Sequence, residues 1–294
     1  MKIYLKPPKV ASPSLKRVSD ALVRYMPEVY KSDFEIVHTK EEADLVILHV
    51  IGRQDQVCKE AEELHSAGKQ YAVIQYAIRS TQRPHTSGWE KLWRNSKITW
   101  SYYDLPYLCQ EDGVNFWFPF YYSPLGVDQS VFWSPYTRHE LTIMTSGQSY
   151  LTESVRECVL ADRETLNKGV LHLGNDIGRG VECVSGVSDR ELAILYSTCM
   201  YVSGLRRVEG FELPAAEGLL CGSRPILFDR PHYRQWFSNF AIFIPEGPRE
   251  EVLESLKKVF SSQYIPVIQE EIVSARKIFN WETIIKGFWE RVLT

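Results

Sequence analysis

The chain has 294 residues, enough for two domains of ordinary size. Its content of 44 % hydrophobic and 24 % charged residues is typical of a globular protein and argues against a disordered chain. A net charge of −3 gives no overall field that would draw the protein onto nucleic acid or an anionic membrane. The six cysteines form no C-x-x-C pair, which argues against a zinc site and predicts a reducing, cytoplasmic compartment. We find neither a signal peptide nor an apolar run of membrane-spanning length.

The N-terminal half alternates strand-like and helix-like segments, which predicts a doubly wound parallel sheet of the α/β class. A continuous apolar run at 45–50 is typical of a parallel strand buried on both faces. After the first strand, Lys6-Pro7-Pro8-Lys9 stands where a nicotinamide dinucleotide fold would carry a G-x-G-x-x-G loop, which argues against that fold. The predicted strands are 3–5, 34–37, 45–50, 71–75, 98–101 and 115–119, and the predicted helices are 14–25, 54–67 and 105–110.

Residues 79–97, called the basic stretch below, concentrate positive charge in this half. They contain one acid, Glu90, and five cations: Arg79, Arg83, Lys91, Arg94 and Lys97. Because Trp89 and Trp93 are interleaved with the cations, the stretch can be interpreted as a site for a phosphate-bearing or polyanionic acceptor. A second interpretation is a solvated loop and a short helix whose tryptophans pack on the sheet. Both stay open at this point.

The C-terminal half repeats the alternation, which predicts a second α/β domain. A glycine-rich segment at 174–180 has neither a dinucleotide fingerprint nor P-loop spacing. Ser188 or Asp189 is the predicted N-cap of one helix. The predicted strands are 141–145, 170–173, 181–184, 200–203, 225–227 and 241–244, and the predicted helices are 154–166, 188–196, 213–220, 233–237, 248–260, 266–279 and 281–292.

One strand–loop–helix segment of this half, residues 200–222, carries two glutamates with seven residues between them. Glu209 lies in the predicted loop and Glu217 on the predicted helix. Pro214 suits the first helical turn, and Gly222 suits the position just past the helix end. In an open α/β sheet, ligands bind beyond the carboxyl ends of the strands, so the loop is a candidate binding site.

Residues 209–226 read E-G-F-E-L-P-A-A-E-G-L-L-C-G-S-R-P-I and resemble the E-x7-E signature of retaining GT-B glycosyltransferases of group 1. Residues 124–135 resemble the segment that joins the two domains of those enzymes, and residues 187–196 resemble their G-x-V-x-x-x-E-L-x-x-L-Y segment. The resemblance implies two Rossmann-like, doubly wound domains that face each other across a cleft. It implies an N-terminal acceptor domain, 1–134, and a C-terminal nucleotide-sugar domain, 135–294, with a last helix that crosses back.

The resemblance also implies an activity: transfer of a sugar, with retention, from a nucleotide-diphosphate sugar to an acceptor hydroxyl. Glu217 would accept hydrogen bonds from the nucleotide ribose, and Glu209 would lie beside the donor sugar. An alternative for Glu209 is an acidic side chain favoured by the dipole of the following helix. The implied donor-binding residues are Gly147, Gly210, Phe211, Glu212, Leu213 and Glu217, and the candidate phosphate cations are Arg206, Arg207 and Arg179.

The sequence departs from the family pattern in the loop at 147–150, which has no cation, and at Glu212, where the family has glycine. The glutamate would crowd the donor-sugar pocket, or it would mark a nucleotide-sugar-binding protein that has lost turnover. The chain has no Asp-x-Asp pair, so we expect no metal and no cofactor. A saccharide or small molecule is the expected acceptor. The runner-up is nucleic acid, as in viral enzymes that glucosylate modified DNA bases, and an anionic lipid surface is third. The candidate acceptor-binding residues are Arg83, Lys91 and Arg94.

Overall fold

The computed structural model describes residues 1–5, 13–78, 86–133, 137–147, 151, 153–178, 181–207 and 210–293. The chain folds as two compact units. Unit 1 comprises Met1–Gly126, Glu209–Phe211 and Trp281–Thr294, and unit 2 comprises Val127–Val208 and Glu212–Asn280. Along the chain, unit 1 first changes to unit 2 between Gly126 and Val127.

Unit 1 contains a parallel sheet whose six strands, in the described residues, lie in the order β2-β1-β3-β4-β5-β6. The predicted apolar run is the central strand β3, which is buried at every position and pairs with β1 and β4 in parallel. The strands are β1 (Lys2–Leu5), β2 (Glu35–Ile36), β3 (Leu45–Val50), β4 (Gln70–Gln75), β5 (Thr99–Ser101) and β6 (Phe120–Tyr122). The helices that precede unit 2 are α1 (Pro13–Arg24), α2 (Glu28–Lys31), α3 (Gln54–Ser66), α4 (Glu90–Arg94) and α5 (Leu105–Glu111).

The predicted strand at 115–119 is wrong, because strand β6 begins at Phe120, just after the predicted strand ends. Its pairing with β5 starts at Thr99 and Phe120. Pro119 has no N–H group for the ladder and stands just before the strand, a usual place for proline. Trp117, inside the predicted strand, is 81 % exposed. The short helix α2 had no sequence signal that we recognised.

Unit 2 contains a second parallel sheet, with its six described strands in the order β12-β11-β10-β7-β8-β9. The two sheets confirm the predicted α/β class with two Rossmann-like, doubly wound parallel sheets. The strands are β7 (Leu141–Ser146), β8 (Val170–Leu173), β9 (Glu182–Val184), β10 (Cys199–Gly204), β11 (Arg224–Phe228) and β12 (Ile242–Ile244). The helices are α6 (Val155–Glu164), α7 (Asp189–Thr198), α8 (Leu213–Leu220), α9 (Pro231–Phe237), α10 (Arg249–Ser261) and α11 (Gln269–Ile278).

Helix α7 begins with a capping box, which settles the predicted choice of cap in favour of Ser188. The Ser188 hydroxyl accepts a hydrogen bond from the Glu191 N–H at 3.3 Å, and the Glu191 carboxylate accepts one from the Ser188 N–H at 2.7 Å. Hydrogen bonds from Ser188 hold the pKa of Glu191 below its ordinary value. Two N–H groups that the helix itself cannot satisfy are thereby paired.

We expect Ser188→Ala to lower the free energy of unfolding by about 1 kcal/mol, because the Glu191 N–H loses its acceptor. Chemical denaturation of the two proteins measures this difference. Ser188→Asp, which keeps a capping oxygen, is the matched control and should retain most of the stability. A Ser188→Ala protein as stable as the wild type would contradict the role of this cap.

Helix α12 (Trp281–Leu293) ends the chain and belongs to unit 1. Its residues Trp281, Phe288 and Trp289 are buried. The Trp289 indole N–H donates to the carbonyl of Leu22 on α1 at 3.0 Å, and the Phe288 ring lies 5.6 Å from the ring of Trp100 on β5. Apolar burial together with this hydrogen bond therefore fixes the C-terminal helix onto unit 1.

Within the described residues, no helix is both long enough and apolar enough to cross a lipid bilayer. All six cysteines lie in described parts of the chain, and all carry free thiols.

Candidate active site

The sheet of unit 2 has one point at which the strand order reverses. From β7 the chain adds β8 and then β9 on one side, and afterwards returns to place β10 on the other side of β7. Strands β7 and β10 are therefore parallel neighbours whose following loops diverge. A crevice for ligands forms at such a point, beyond the carboxyl ends of the two strands. The residues that follow β7 and β10 are thus the candidate site of unit 2.

A glycine at the end of β10 makes room at this point. A Cβ atom on Gly204 would collide with the Leu227 side chain and would lie 3.0 Å from Cγ of Glu212. A larger residue here would therefore have to displace the side chain of Leu227 on β11 and would crowd the side chain of Glu212. The glycine allows the loop after β10 to fold back closely against the sheet.

Buried polar groups hold the backbone of Gly147, just past β7. Its N–H donates to Leu173 O at 3.2 Å, and its carbonyl oxygen lies 3.2 Å from His172 Nε2. Since a carbonyl can only accept, His172 must carry its proton on Nε2, so Nδ1 accepts from the Thr145 hydroxyl at 2.9 Å. Burial lowers the pKa of His172, which favours this neutral form. The loop of Gly147 is consequently anchored to β8.

The Arg206 side chain, from the loop after β10, lies between two carboxylates. Its Nε atom is 3.3 Å from Glu153 Oε2 and 3.6 Å from Glu212 Oε1. Glu153 precedes α6, and Glu212 is the N-cap residue of α8. The Tyr233 hydroxyl, on α9, donates to Glu212 Oε1 at 3.2 Å. We call these four residues the Arg206 cluster.

Glu212 and Arg207 occupy places that the sequence did not predict. The Glu212 side chain is 1 % exposed and packs inside unit 2, so in the structure it is a buried partner of Arg206 and Tyr233. Arg207 points elsewhere: its Nη1 donates to Gly247 O at 2.9 Å, and its guanidinium lies over the Phe228 ring at 5.6 Å. The two neighbouring arginines therefore diverge, and Arg206 is the one that lies with the loops of β7 and β10.

Glu217 lies on α8 and is 2 % exposed. Its Oε2 accepts a hydrogen bond from the Tyr196 hydroxyl on α7 at 3.2 Å, and the Tyr196 ring is in turn 6.3 Å from the Phe132 ring. Burial raises the pKa of Cys221, and the charge of Glu217 raises it further. A carboxylate in such surroundings needs hydrogen-bond donors, and Tyr196 supplies one.

Three further residues of the predicted donor site lie in described parts of the chain. Leu213 is the first residue of α8 and is buried in unit 2. Gly210 and Phe211 belong to unit 1, where the Phe211 ring lies 5.3 Å from the Tyr102 ring. The change from unit 1 to unit 2 within the E-x7-E segment thus falls between Phe211 and Glu212. Glu209 and Arg179 lie outside the described residues.

The basic stretch is partly described and lies in unit 1. Lys91 Nζ is 3.1 Å from Glu62 Oε1, and the Arg94 guanidinium lies over the Phe116 ring at 5.2 Å. Arg83 lies outside the described residues. The three tryptophans Trp89, Trp93 and Trp100 are each at most 1 % exposed. They pack in the core of unit 1, as the second interpretation predicted, and offer no ring faces for stacking against bases.

Sequence analysis missed three residues of this site: Glu153, Tyr233 and Tyr196. Tyr196 stands inside a segment that we had matched to a family pattern, so a signal was present although no role was assigned. Glu153 and Tyr233 gave no sequence signal, because their partners, Arg206 and Glu212, are distant in sequence.

No protein-family model matches the chain, and no curated protein matches it either. Solved structures do match over the whole chain. Sucrose-phosphate synthase from Thermosynechococcus elongatus is 11 % identical at a TM-score of 0.71, covering 98 % of this chain and 97 % of that one. HepE from Anabaena, solved with UDP, is 12 % identical at a TM-score of 0.70, covering 99 % of each chain.

A third match is AviGT4, a glycosyltransferase of avilamycin A biosynthesis. It is 12 % identical at a TM-score of 0.63, covering 99 % of this chain and 97 % of that one. At these identities the likeness establishes the fold. The chain has the two Rossmann-like domains of the GT-B fold, as the resemblance implied.

Proposed function

We propose that this chain, with its GT-B fold, transfers a sugar from a nucleotide-diphosphate sugar to an acceptor hydroxyl. One observation carries the proposal. The strand-order reversal of unit 2 coincides with the E-x7-E segment, which follows β10 and continues into α8. Function in an α/β fold resides in such a site. The comparisons add that HepE was solved with UDP, and a pneumococcal O-GlcNAc transferase, 16 % identical, with UDP and GlcNAc.

The proposed chemistry needs positive groups for the leaving diphosphate and negative ones for the sugar, which becomes oxocarbenium-like. Arg206 and the N-terminal end of α8 supply the first. Glu209, by resemblance, supplies the second or binds a donor hydroxyl. Glu217 accepts hydrogen bonds from the ribose. Arg207, beside Gly247, and Arg179 remain candidate phosphate cations.

We also propose that transfer proceeds with retention and without a metal ion. The E-x7-E segment supports retention through the resemblance. The lack of an Asp-x-Asp pair in the sequence supports a diphosphate held by protein groups alone. If no metal ion is needed, the turnover rate should be unchanged after all divalent cations have been removed with a chelator.

A second candidate function is a nucleotide-sugar-binding protein without turnover. It is favoured by the Arg206 cluster, in which one guanidinium is shared by two carboxylates. A panel of nucleotide sugars decides between the two functions, with release of nucleoside diphosphate as the assay and NMR of the product anomer as the test of retention. Release from at least one donor supports the enzyme. Tight binding of donors without any release supports the binding protein.

For the acceptor we propose a saccharide or small molecule bound by unit 1, with the basic stretch contributing Arg83, Lys91 and Arg94. Nucleic acid is the weaker candidate, because the tryptophans beside these cations are buried and cannot stack with bases.

Replacing Arg83, Lys91 and Arg94 together with alanine should therefore impair transfer and leave donor hydrolysis unchanged. Transfer and hydrolysis rates measured side by side test this. The control is Lys31→Ala with Lys59→Ala, two exposed lysines of unit 1 outside the stretch. Acceptor binding should be nearly independent of salt, whereas a nucleic acid would lose about 0.7–0.9 log units of affinity per neutralised phosphate for each tenfold rise in salt. Normal transfer by the triple variant would remove these residues from the acceptor site.

A further inference from the structure

We infer that Glu212 is a positioning residue that, together with Glu153, holds Arg206 for the diphosphate of the donor. The inference rests on the proposed function and extends it to a residue that departs from the family pattern. Glu212 acts through Arg206 and has no direct contact with donor in this account.

The side chains of the Arg206 cluster differ in their exposure to solvent. The Arg206 side chain is 32 % exposed, whereas the side chains of Glu153 and Glu212 are 12 % and 1 % exposed. The carboxylates are therefore buried, and Arg206 is the member of the three whose side chain is most exposed to solvent. The shortest approach of each carboxylate is to Nε. The planar guanidinium carries five N–H donors and binds phosphate through two parallel hydrogen bonds.

Three elements fix the geometry of the cluster. Glu212 is oriented by the hydroxyl of Tyr233, which is itself fully buried on α9. Gly204 leaves the space at the end of β10 that Cγ of Glu212 fills. Glu153 lies in the segment between β7 and α6 and immediately precedes Ser154, the N-cap residue of α6. A long, flexible arginine side chain loses rotamer freedom when it is held, so a preformed contact lowers the cost of ordering it on binding.

The cluster also accounts for two departures from the family pattern at once. The loop after β7 has no cation at 147–150, and it carries Glu153 a few residues later. Glu212 stands where the family has glycine. With both glutamates turned toward Arg206, the cation of the crevice comes from the loop after β10. The two acids are then its supports.

Removal of Glu212 should change the affinity for nucleoside diphosphate in opposite directions, depending on whether Glu212 positions Arg206 or only repels the phosphates. Removing a carboxylate beside a phosphate site reduces repulsion, so charge alone predicts tighter binding of a diphosphate. Loss of positioning predicts weaker binding, since Arg206 is no longer held in place. Measurement of nucleoside diphosphate affinity after removal of Glu212 therefore distinguishes the two.

The experiment is a double-mutant cycle in affinity, which reports whether two residues act through each other. Calorimetry is performed with whichever of UDP, GDP, ADP and dTDP the wild type binds most tightly. We expect Glu212→Ala to weaken binding about five- to tenfold, Arg206→Ala to weaken it tenfold or more, and the double variant to match Arg206→Ala alone. The corresponding nucleoside, which has no phosphates, should bind all four proteins equally.

Glu271→Ala is the matched control, because Glu271 forms a partly buried ion pair with Arg224 at 2.6 Å in the same unit. It should lower stability and leave the affinity unchanged. If Glu212→Ala does not fold, Glu212→Gln, which keeps an oxygen for Tyr233, enters the same cycle. Additive losses, or tighter binding after removal of Glu212, would overturn the inference while the proposed function stands. A wild type that binds none of the four nucleotides would instead overturn the proposed function.

Discussion

Replacing Glu209 with glutamine is expected to lower turnover about 10²–10³-fold, the usual cost of removing one group that stabilises transition-state charge. The substitution keeps size and hydrogen-bonding capacity and removes only the negative charge. Binding of nucleoside diphosphate should hardly change, because the role of Glu209 develops beside the sugar during transfer. Steady-state kinetics and calorimetry on the same preparations measure the two quantities.

The alternative for Glu209 is a favourable acidic charge near the start of α8. In that case glutamine would cost at most about 1 kcal/mol of stability and would leave turnover intact. Turnover within a factor of three of the wild type would thus remove Glu209 from the chemistry. Glu282→Gln, an acidic residue in the first turn of α12, is the matched control for a helix-start charge and should leave turnover unchanged.

Replacing Glu217 with alanine should weaken nucleotide binding by about 1.5–3 kcal/mol, the range for a hydrogen bond to a charged group. The residue is buried and already accepts a hydrogen bond from Tyr196, so its carboxylate is oriented before ligand arrives. Tyr196→Phe removes that donor alone and should have a smaller effect in the same direction. Calorimetry with the nucleoside diphosphate measures both.

The ribose supplies an internal control for this role. If Glu217 accepts hydrogen bonds from the ribose hydroxyls, the wild type should prefer the ribonucleotide over its 2′,3′-dideoxy analogue. Glu217→Ala should then bind the two nucleotides equally. Undiminished affinity of Glu217→Ala, or an undiminished preference for the ribonucleotide, would place the ribose elsewhere.

Much of the fold follows from local patterns in the sequence. The apolar run of β3, an N-cap at Ser188 or Asp189 and the Gly222 that follows α8 depend on neighbouring residues and were predicted. The structure chose Ser188. The strand at 115–119 was misplaced because an aromatic run spans 116–122, and hydrophobicity alone does not mark where pairing starts. Pro119 marks that place, through the N–H group that it lacks.

The position of the candidate site was predictable, and its internal contacts were not. The E-x7-E spacing marks a loop and a helix that follow one strand, which are local features. Glu212 was expected to crowd the donor-sugar pocket. Its contacts with Arg206 and Tyr233 were not foreseen, because they form only when β10, α8 and α9 pack together. Side-chain direction in loops depends on such tertiary packing, and spacing along the chain does not specify it.

The most direct test of the donor site is a crystal structure of the protein with bound nucleoside diphosphate. The account predicts the nucleotide on unit 2, beyond the carboxyl ends of β7 and β10. Its ribose hydroxyls should lie within hydrogen-bond distance of Glu217, and its phosphates should contact Arg206 and the first turn of α8. A nucleotide bound at any other place on the chain, with Glu217 and Arg206 out of reach, would contradict the account.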